Sequence, residues 1–275
     1  MSDRADLHLH TIHSDGTLSP EELVKRARAG GLSTISVTDH DSVGAIEQAR
    51  AVGEQLGVEV ITGVELSVSV GEQDVHVLAY FFDHTNSTVQ DHLEFYRFER
   101  VKRAERIVGK LNDLKVPLTI DAVLEKAGNG SVGRPHIANA LVDEGFISSY
   151  NEAFLKYIGQ GKPAFERKMR VSPRAAIDMI SEAGGLTFLA HPGVNISEEV
   201  LMGLIKDGID GIEVVHPSHS PERIAFYRGI VSEYFLLASG GSDYHGGGRN
   251  DNGSLGKYFI SNQEVEMMRR RLDLV

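Results

Sequence analysis

Asp6-Leu7-His8-Leu9-His10-Thr11-Ile12-His13-Ser14-Asp15-Gly16 decides how the rest of the chain is read. Strand side chains alternate between faces, so Leu7 and Leu9 share one side of a short strand while His8 and His10 share the other. Ser14 and Gly16 then open a loop carrying Asp15, a third ligand type beside two imidazoles. A lone His-X-His is most often an edge strand with exposed imidazoles. The residues downstream weigh against that reading here.

Further apolar runs end in groups that bind metals. Ile35-Ser36-Val37-Thr38-Asp39-His40-Asp41 stops at a His between carboxylates, and Val60-Ile61-Thr62-Gly63-Val64-Glu65 reaches a Glu. Leu186-Thr187-Phe188-Leu189-Ala190-His191-Pro192 ends at a His, and Ala238-Ser239-Gly240-Gly241-Ser242-Asp243-Tyr244-His245 closes with Asp-X-His. His76 instead precedes its run, Val77 to Phe82, which predicts a strand running against its neighbours. His8, His10, Asp15, His40, Glu65, His76, His191, Asp243 and His245 make nine candidate ligands. One ion needs about three or four, so the set suits more than one. A buried imidazole satisfied by backbone is the common fate of any single His, but not of the whole set. His13, His84, His92 and His216 lack ligand spacing and read as surface residues or as supports for the ligands. Asp39 and Asp41 read as partners that orient an imidazole, or as a helix cap.

Composition narrows the chemistry. A chain of 275 residues can bury a full core, as one barrel-sized domain or as a core with an insertion. It has no cysteine, which excludes disulfides, thiolate zinc sites and cysteine nucleophiles and leaves nitrogen and oxygen ligands. No run approaches the ~18 apolar residues of a membrane span, so a soluble, cytoplasmic protein is expected. The net charge of −11 argues against general affinity for nucleic acid. A small phosphorylated substrate stays open, because divalent ions can reverse the local field of carboxylates.

Along the chain, Ser19-Pro20-Glu21-Glu22 predicts a capped helix start, ended by Gly30-Gly31. A strand over 33–38, a helix over 43–56 closed by Gly57 and a strand over 58–64 follow. This alternation implies parallel strands with helices outside and chemistry at the carboxyl ends of the strands. From Val89 the rhythm breaks into one long amphipathic helix and three shorter segments, near 121–126, 135–144 and 150–158. Residues 89–170 therefore read as a helical insertion, and 1–88 with 171–275 as the alternating core. Alternation resumes at Ser172-Pro173: a helix to Ala183, a strand to His191, a helix over 198–207, a strand over 211–216, a helix from Pro221, strands over 235–239 and 257–260, and a last helix.

The ordered set Asp6-Leu-His-Leu-His10, Thr38-Asp-His40, Gly63-Val-Glu65, His76, Ala190-His-Pro192 and Ser242-Asp-Tyr-His245 resembles the PHP family, named for polymerase and histidinol phosphatase domains. The resemblance implies an α/β fold, a distorted seven-stranded metallo-hydrolase barrel over 1–88 and 171–275 with helices outside, two or three divalent ions at one mouth, and a helical insertion domain over 89–170 contributing to substrate binding. Manganese is the first expectation, with zinc or iron as alternatives. By the same resemblance His8, His10, Glu65 and Asp243 hold one ion, Asp15, His40 and His245 a second, and Glu65, His76 and His191 a third. Many relatives carry His where this chain has Asp15. Gly133-Arg134-Pro135-His136-Ile137-Ala138 and Gly161-Lys162-Pro163-Ala164-Phe165 look like the branch of nucleoside 3′,5′-bisphosphate phosphatases and 5′-to-3′ exoribonucleases.

Arg134 has its own physical case. Gly133 lets the backbone come close, Pro135 begins a helix, and a guanidinium there can grip phosphate with two hydrogen bonds. His219 follows an expected strand and is a second candidate phosphate contact or proton donor. Lys162, Arg167, Lys168, Arg170 and Arg174 form a basic run, ordinarily a solvated face.

The expected activity is hydrolysis of a phosphomonoester by a hydroxide bridging metals, with Asp243, His191 and Glu65 at the reacting centre. The expected substrate is a nucleoside 3′,5′-bisphosphate losing its 3′-phosphate, or short 5′-phosphorylated RNA trimmed from its 5′ end. Hydrolysis of histidinol phosphate or another small phosphomonoester is the rival within that chemistry. A metal-binding interaction module without catalysis is the rival outside it.

Overall fold

The computed structural model describes residues 3–71, 73–194, 196–247 and 251–274. Strand β1 (Ala5–Leu9), which carries the histidine pair, is buried along its whole length. It pairs in parallel with β2 (Thr34–Val37), which pairs in parallel with β3 (Glu59–Val70). Strand β4 (Gln73–Tyr80) runs antiparallel to β3 and to β5 (Leu186–Leu189). Gly71, at φ +57°, lies between β3 and β4. So short a connection can only reverse the chain, since a parallel crossover needs about a dozen residues. His76 therefore points into the barrel mouth from a strand of opposite direction. Strands β6 (Gly211–Val215) and β7 (Leu237–Gly240) restore the parallel order.

The strands follow one another round the sheet in sequence order, and a bridge between Leu9 and Tyr244 links its two edges. The result is the distorted, nearly closed seven-stranded barrel expected from the sequence. Helices α1 (Pro20–Ala29), α2 (Ile46–Leu56), α7 (Pro173–Glu182), α8 (Glu198–Lys206), α9 (Pro221–Glu233) and α10 (Asn262–Leu272) accompany it. The capping box at α1 is formed as its sequence requires: Ser19 Oγ takes the Glu22 N–H, and the Glu22 carboxylate takes the Ser19 N–H.

Between β4 and α7 lie α3 (Ser87–Asp113), α4 (Ile120–Ala127), α5 (Arg134–Asp143), α6 (Tyr150–Ala153) and a π turn at Phe154–Ile158. Helix α3 belongs to two apolar cores. Val89, Leu93 and Tyr96 pack with the barrel, while Ile107, Val108 and Leu111 pack with Val123, Ile137, Leu141 and Ile158. One rigid helix thus carries the second core to the edge of the barrel mouth.

Two local expectations are corrected. Residues 257–260 do not form a strand: Ile260 makes a single bridge to Ala5, because Gly253 and Gly256 at φ +83° and +76° fold the preceding chain into turns. Helix α2 starts at Ile46 rather than at residue 43, since Asp41 adopts φ +48° and the following residues form a turn.

Gly241 shows how closely the last strand approaches the first. A Cβ there would stand 2.5 Å from both the Cβ and the backbone nitrogen of His8, and 2.8 Å from Asp6 Oδ1. Gly241→Ala is expected to destabilise the fold by ~1–3 kcal/mol, the usual cost of overpacking, read as a lowered midpoint of urea unfolding. An unchanged midpoint would show that the seam yields.

Candidate metal centre

Alternation on β1 aims both imidazoles at the barrel axis, and the loops after β2, β5 and β7 bring further ligands to the same mouth. Glu65, on β3 and 1% exposed, lies at the centre. Its Oε2 stands 3.2 Å from His8 Nε2, 3.3 Å from His10 Nε2 and 3.2 Å from His40 Nδ1. Its Oε1 faces the other way, 2.7 Å from His76 Nδ1 and 2.9 Å from His191 Nε2. Asp243 Oδ1 lies 3.3 Å from His8 Nε2 and 3.1 Å from His10 Nε2. Asp15 is 3.4 Å from His245 Nε2 and 3.7 Å from both His10 Nδ1 and His40 Nε2. All nine residues singled out in the sequence meet at this mouth.

Among the described residues, three sets present ligand atoms within 4.8 Å of one another: His8, His10, Glu65 and Asp243; His10, Asp15 and His245; and His40, Glu65 and His76. The first matches the expected first set. The others regroup the expected ones, with His10 beside Asp15 and His245, and His40 beside His76 across Glu65. The donor set fits divalent cations on two counts. Separations of 3.1–3.3 Å in the first set are the edges of a polyhedron with bonds of about 2.1 Å. In addition, His10 Nε2, His40 Nδ1 and His245 Nε2 are buried and meet carboxylate oxygens without hydrogen-bond geometry. Buried polar atoms are rarely left so, and an ion among them would take up their lone pairs together.

Burial works to raise the Glu65 carboxyl, but His40, His76 and His8 hold it well below the ordinary carboxylate range. Asp243 is held down likewise, against its burial, by His8 and His245. Both carboxylates are ready to bind a cation.

The surroundings fix the ligands. His8 Nδ1 bonds Glu213 Oε1 at 2.9 Å, which turns Nε2 toward the cluster. The other oxygen of Glu213 takes the His191 N–H at 2.6 Å. Asp39 accepts from the Thr11 N–H, the Thr11 hydroxyl and the Ser14 hydroxyl, and so shapes the loop bearing Asp15. Asp41 is paired with Arg100. His191 and Asp243 are held at φ +26° and +49°, conformations that cost about 1–3 kcal/mol each and persist where surrounding structure imposes them.

Glu213, fully buried on β6, escaped the sequence reading; its signal was an acid inside the apolar run Gly211-Ile212-Glu213-Val214-Val215. His216, set aside for want of spacing, lies 3.4 Å from Asp243 Oδ2. Lys168, assigned to a solvated run, instead turns inward with Nζ 2.9 Å from His76 Nε2, and burial together with Arg100 pushes its ammonium down to about 8. His219 is brought to the mouth, but its Nδ1 bonds the Val214 carbonyl at 2.8 Å and its Nε2 takes the Gly193 N–H at 3.0 Å. It braces the loop after His191 rather than offering a ring nitrogen to phosphate.

Arg134 stands at the start of α5, its guanidinium 5.8 Å from the ring centres of Phe154 and Phe165 and its Nη1 3.4 Å from the Ile158 carbonyl. With Lys168, His76 and His191 it lines a cavity of about 240 Å³. Arg134 and Lys168 also border a larger cavity of about 920 Å³, which reaches Arg167 and Arg170.

A distorted barrel with this cluster at one mouth is the framework of a metal-dependent hydrolase of phosphate esters. The chain belongs to the PHP domain family, whose pattern matches residues 6–158. It is 35% identical over 250 residues to a 5′-3′ exoribonuclease of Haemophilus influenzae, covering 89% of this chain and 91% of that protein. It is 32% identical over 249 residues to a 3′,5′-nucleoside bisphosphate phosphatase of Chromobacterium violaceum, covering 88% and 87%. Among solved structures it resembles a Bifidobacterium adolescentis protein described as a candidate metal-dependent phosphoesterase, with TM-score 0.89, 32% identity and coverage of 97% and 96%.

Replacing a carboxylate that orients a metal-binding His usually costs about 10–100-fold in metal affinity. Glu213→Gln is expected to lose that much, measured by competition with a chelating dye. Unchanged affinity would mean that Glu213 only fills space.

Proposed function

We propose that this chain removes the 3′-phosphate of nucleoside 3′,5′-bisphosphates and trims short 5′-phosphorylated RNA from its 5′ end. The observation that carries the reading is the adjacency of two kinds of site: converging His, Glu and Asp ligands, and a cavity holding Arg134 and Lys168 beside His76 and His191. A substrate with two phosphates finds a partner for each. The names of the relatives from Haemophilus and Chromobacterium support the same two substrates.

Arg134 and Lys168 hold the phosphate that does not react, through charge-assisted hydrogen bonds. The two aromatic rings beside Arg134 keep its guanidinium aimed, so little freedom is lost on binding. The reacting phosphate is placed against the cluster of Glu65, Asp243 and His191. Two or three divalent ions, manganese foremost, would be held by His8, His10, Asp15, His40, Glu65, His76, His191, Asp243 and His245; when bound they lower the pKa of water and stabilise the attacking and leaving oxygens. Water adds to phosphorus, the bond from phosphorus to the 3′-oxygen breaks, and that oxygen leaves with a proton. We assign residues 89–170 to substrate binding, since helix α5 supplies Arg134 and the irregular chain after the π turn supplies Lys168.

Purified protein with added manganese is expected to release inorganic phosphate from adenosine 3′,5′-bisphosphate, and Asp243→Asn to fall near background. Release by neither this substrate nor 5′-phosphorylated RNA would overturn the assignment. Arg134→Ala is expected to lower kcat/KM by about 10–100-fold, chiefly through KM, the loss of a charged hydrogen-bond donor. A fall in kcat alone would instead place Arg134 at the reacting phosphate.

A further inference from the structure

Among the described residues, cavities flank the ligand cluster on two sides, and the two differ in chemistry. Beside His76 and His191 the walls carry two cations, Arg134 and Lys168. Beside Asp243 and His245 lies a second cavity, about 450 Å³, which extends to Asn252, Ser254, Lys257 and Tyr258. That volume is within the ~300–1,000 Å³ typical of small-ligand sites. Besides the carboxylates of Asp243 and Asp251 and the imidazoles of His216 and His245 on the ligand side, its polar groups are an amide, hydroxyls, one ammonium and one phenol, so that the outer wall offers a nucleoside hydrogen-bonding groups and a single phosphate one cation. Asp251, whose carboxylate takes the His245 N–H, ties this wall to the ligand loop.

A nucleoside bisphosphate spans only one of these sides. With its 5′-phosphate at Arg134 and its 3′-phosphate at the ligands, it ends at the reacting phosphorus, and the second cavity has nothing to hold. A strand does not end there, because its phosphorus carries the 5′-oxygen of the next nucleotide. We propose that the cavity bordered by Asn252, Lys257 and Tyr258 is the subsite for the nucleotide on the far side of the scissile phosphate. The proposal rests on the phosphoesterase reading above and adds a direction to it. RNA lies with its 5′-terminal nucleotide on the Arg134 side and the remaining strand over Asp243 toward Lys257.

The chemistry balances in the same way for both substrates. Water's oxygen bonds to phosphorus, the bond to the 3′-oxygen breaks, and that oxygen takes a proton as a mononucleotide leaves. The phosphate stays on the shortened strand as its new 5′-phosphate, which Arg134 and Lys168 can accept in the next round.

The test uses the full-length protein with Lys257→Ala and Lys257→Glu; Lys257 is exposed, so neither change disturbs the core. Equilibrium binding is measured for AMP and for a 5′-phosphorylated diadenosine in which a methylene replaces the bridging 3′-oxygen. Losing one charged donor predicts about a tenfold greater loss for the dinucleotide than for AMP in Lys257→Ala, and more in Lys257→Glu. The ratio of kcat/KM on 5′-phosphorylated diadenosine to that on adenosine 3′,5′-bisphosphate falls in parallel. Equal losses for both ligands, or none, overturn the subsite. Wild-type protein that hydrolyses neither substrate contradicts the phosphoesterase reading instead, and the binding ratio still decides the subsite.

Discussion

A buried carboxylate is costly unless opposite charge or metal surrounds it, and Glu65 is the group this barrel is arranged to satisfy. It sits on the strand whose partner turns antiparallel, so its two oxygens face imidazoles from opposite directions. Oε2 looks toward the strand that opens the chain and toward His40, while Oε1 looks toward His76 and His191. One side chain thereby joins two sets of ligands, and a carboxylate with both oxygens engaged suits bridging between ions. The close seam at Gly241 and the left-handed conformations of His191 and Asp243 are the local costs of bringing the other ligands within reach.

The convergence of these residues was legible in the sequence because candidate ligands at strand ends leave a simple trace: an apolar run that stops at His, Asp or Glu. The reversal at β4 was legible for the same reason, since His76 stands before its run instead of after it. What escaped was whatever depends on contacts between distant segments. Glu213 has no neighbouring ligand in the chain, and only the fold brings it to His8 and the His191 backbone. Lys168 looked solvated among other basic residues, yet the chain leaving the second core carries it in to His76. His219 failed in the opposite sense: its position at a strand end was right for a substrate contact, but both ring nitrogens serve the backbone. The turns around Gly253 and Gly256 defeated an apolar signal at residues 257–260 because glycine conformation overrode strand propensity.

The helices between β4 and α7 give the mouth its asymmetry. Their own apolar cluster makes them a firm support, and α3 joins that cluster to the barrel core. From this support Arg134 and Lys168 reach the His76 side, whereas the Asp243 side is bordered by the loop before α10. A strongly acidic chain thus presents cations where a small anion would dock.

The central claim is that the nine scattered residues form one polynuclear metal centre. Anomalous diffraction from crystals of manganese-loaded protein, recorded on either side of the manganese absorption edge, tests it most directly. The account predicts two or three anomalous peaks around Glu65, within bonding distance of His8, His10, Asp243 and their neighbours. No peak there, or one isolated peak that leaves Glu65 without a cation, would contradict it.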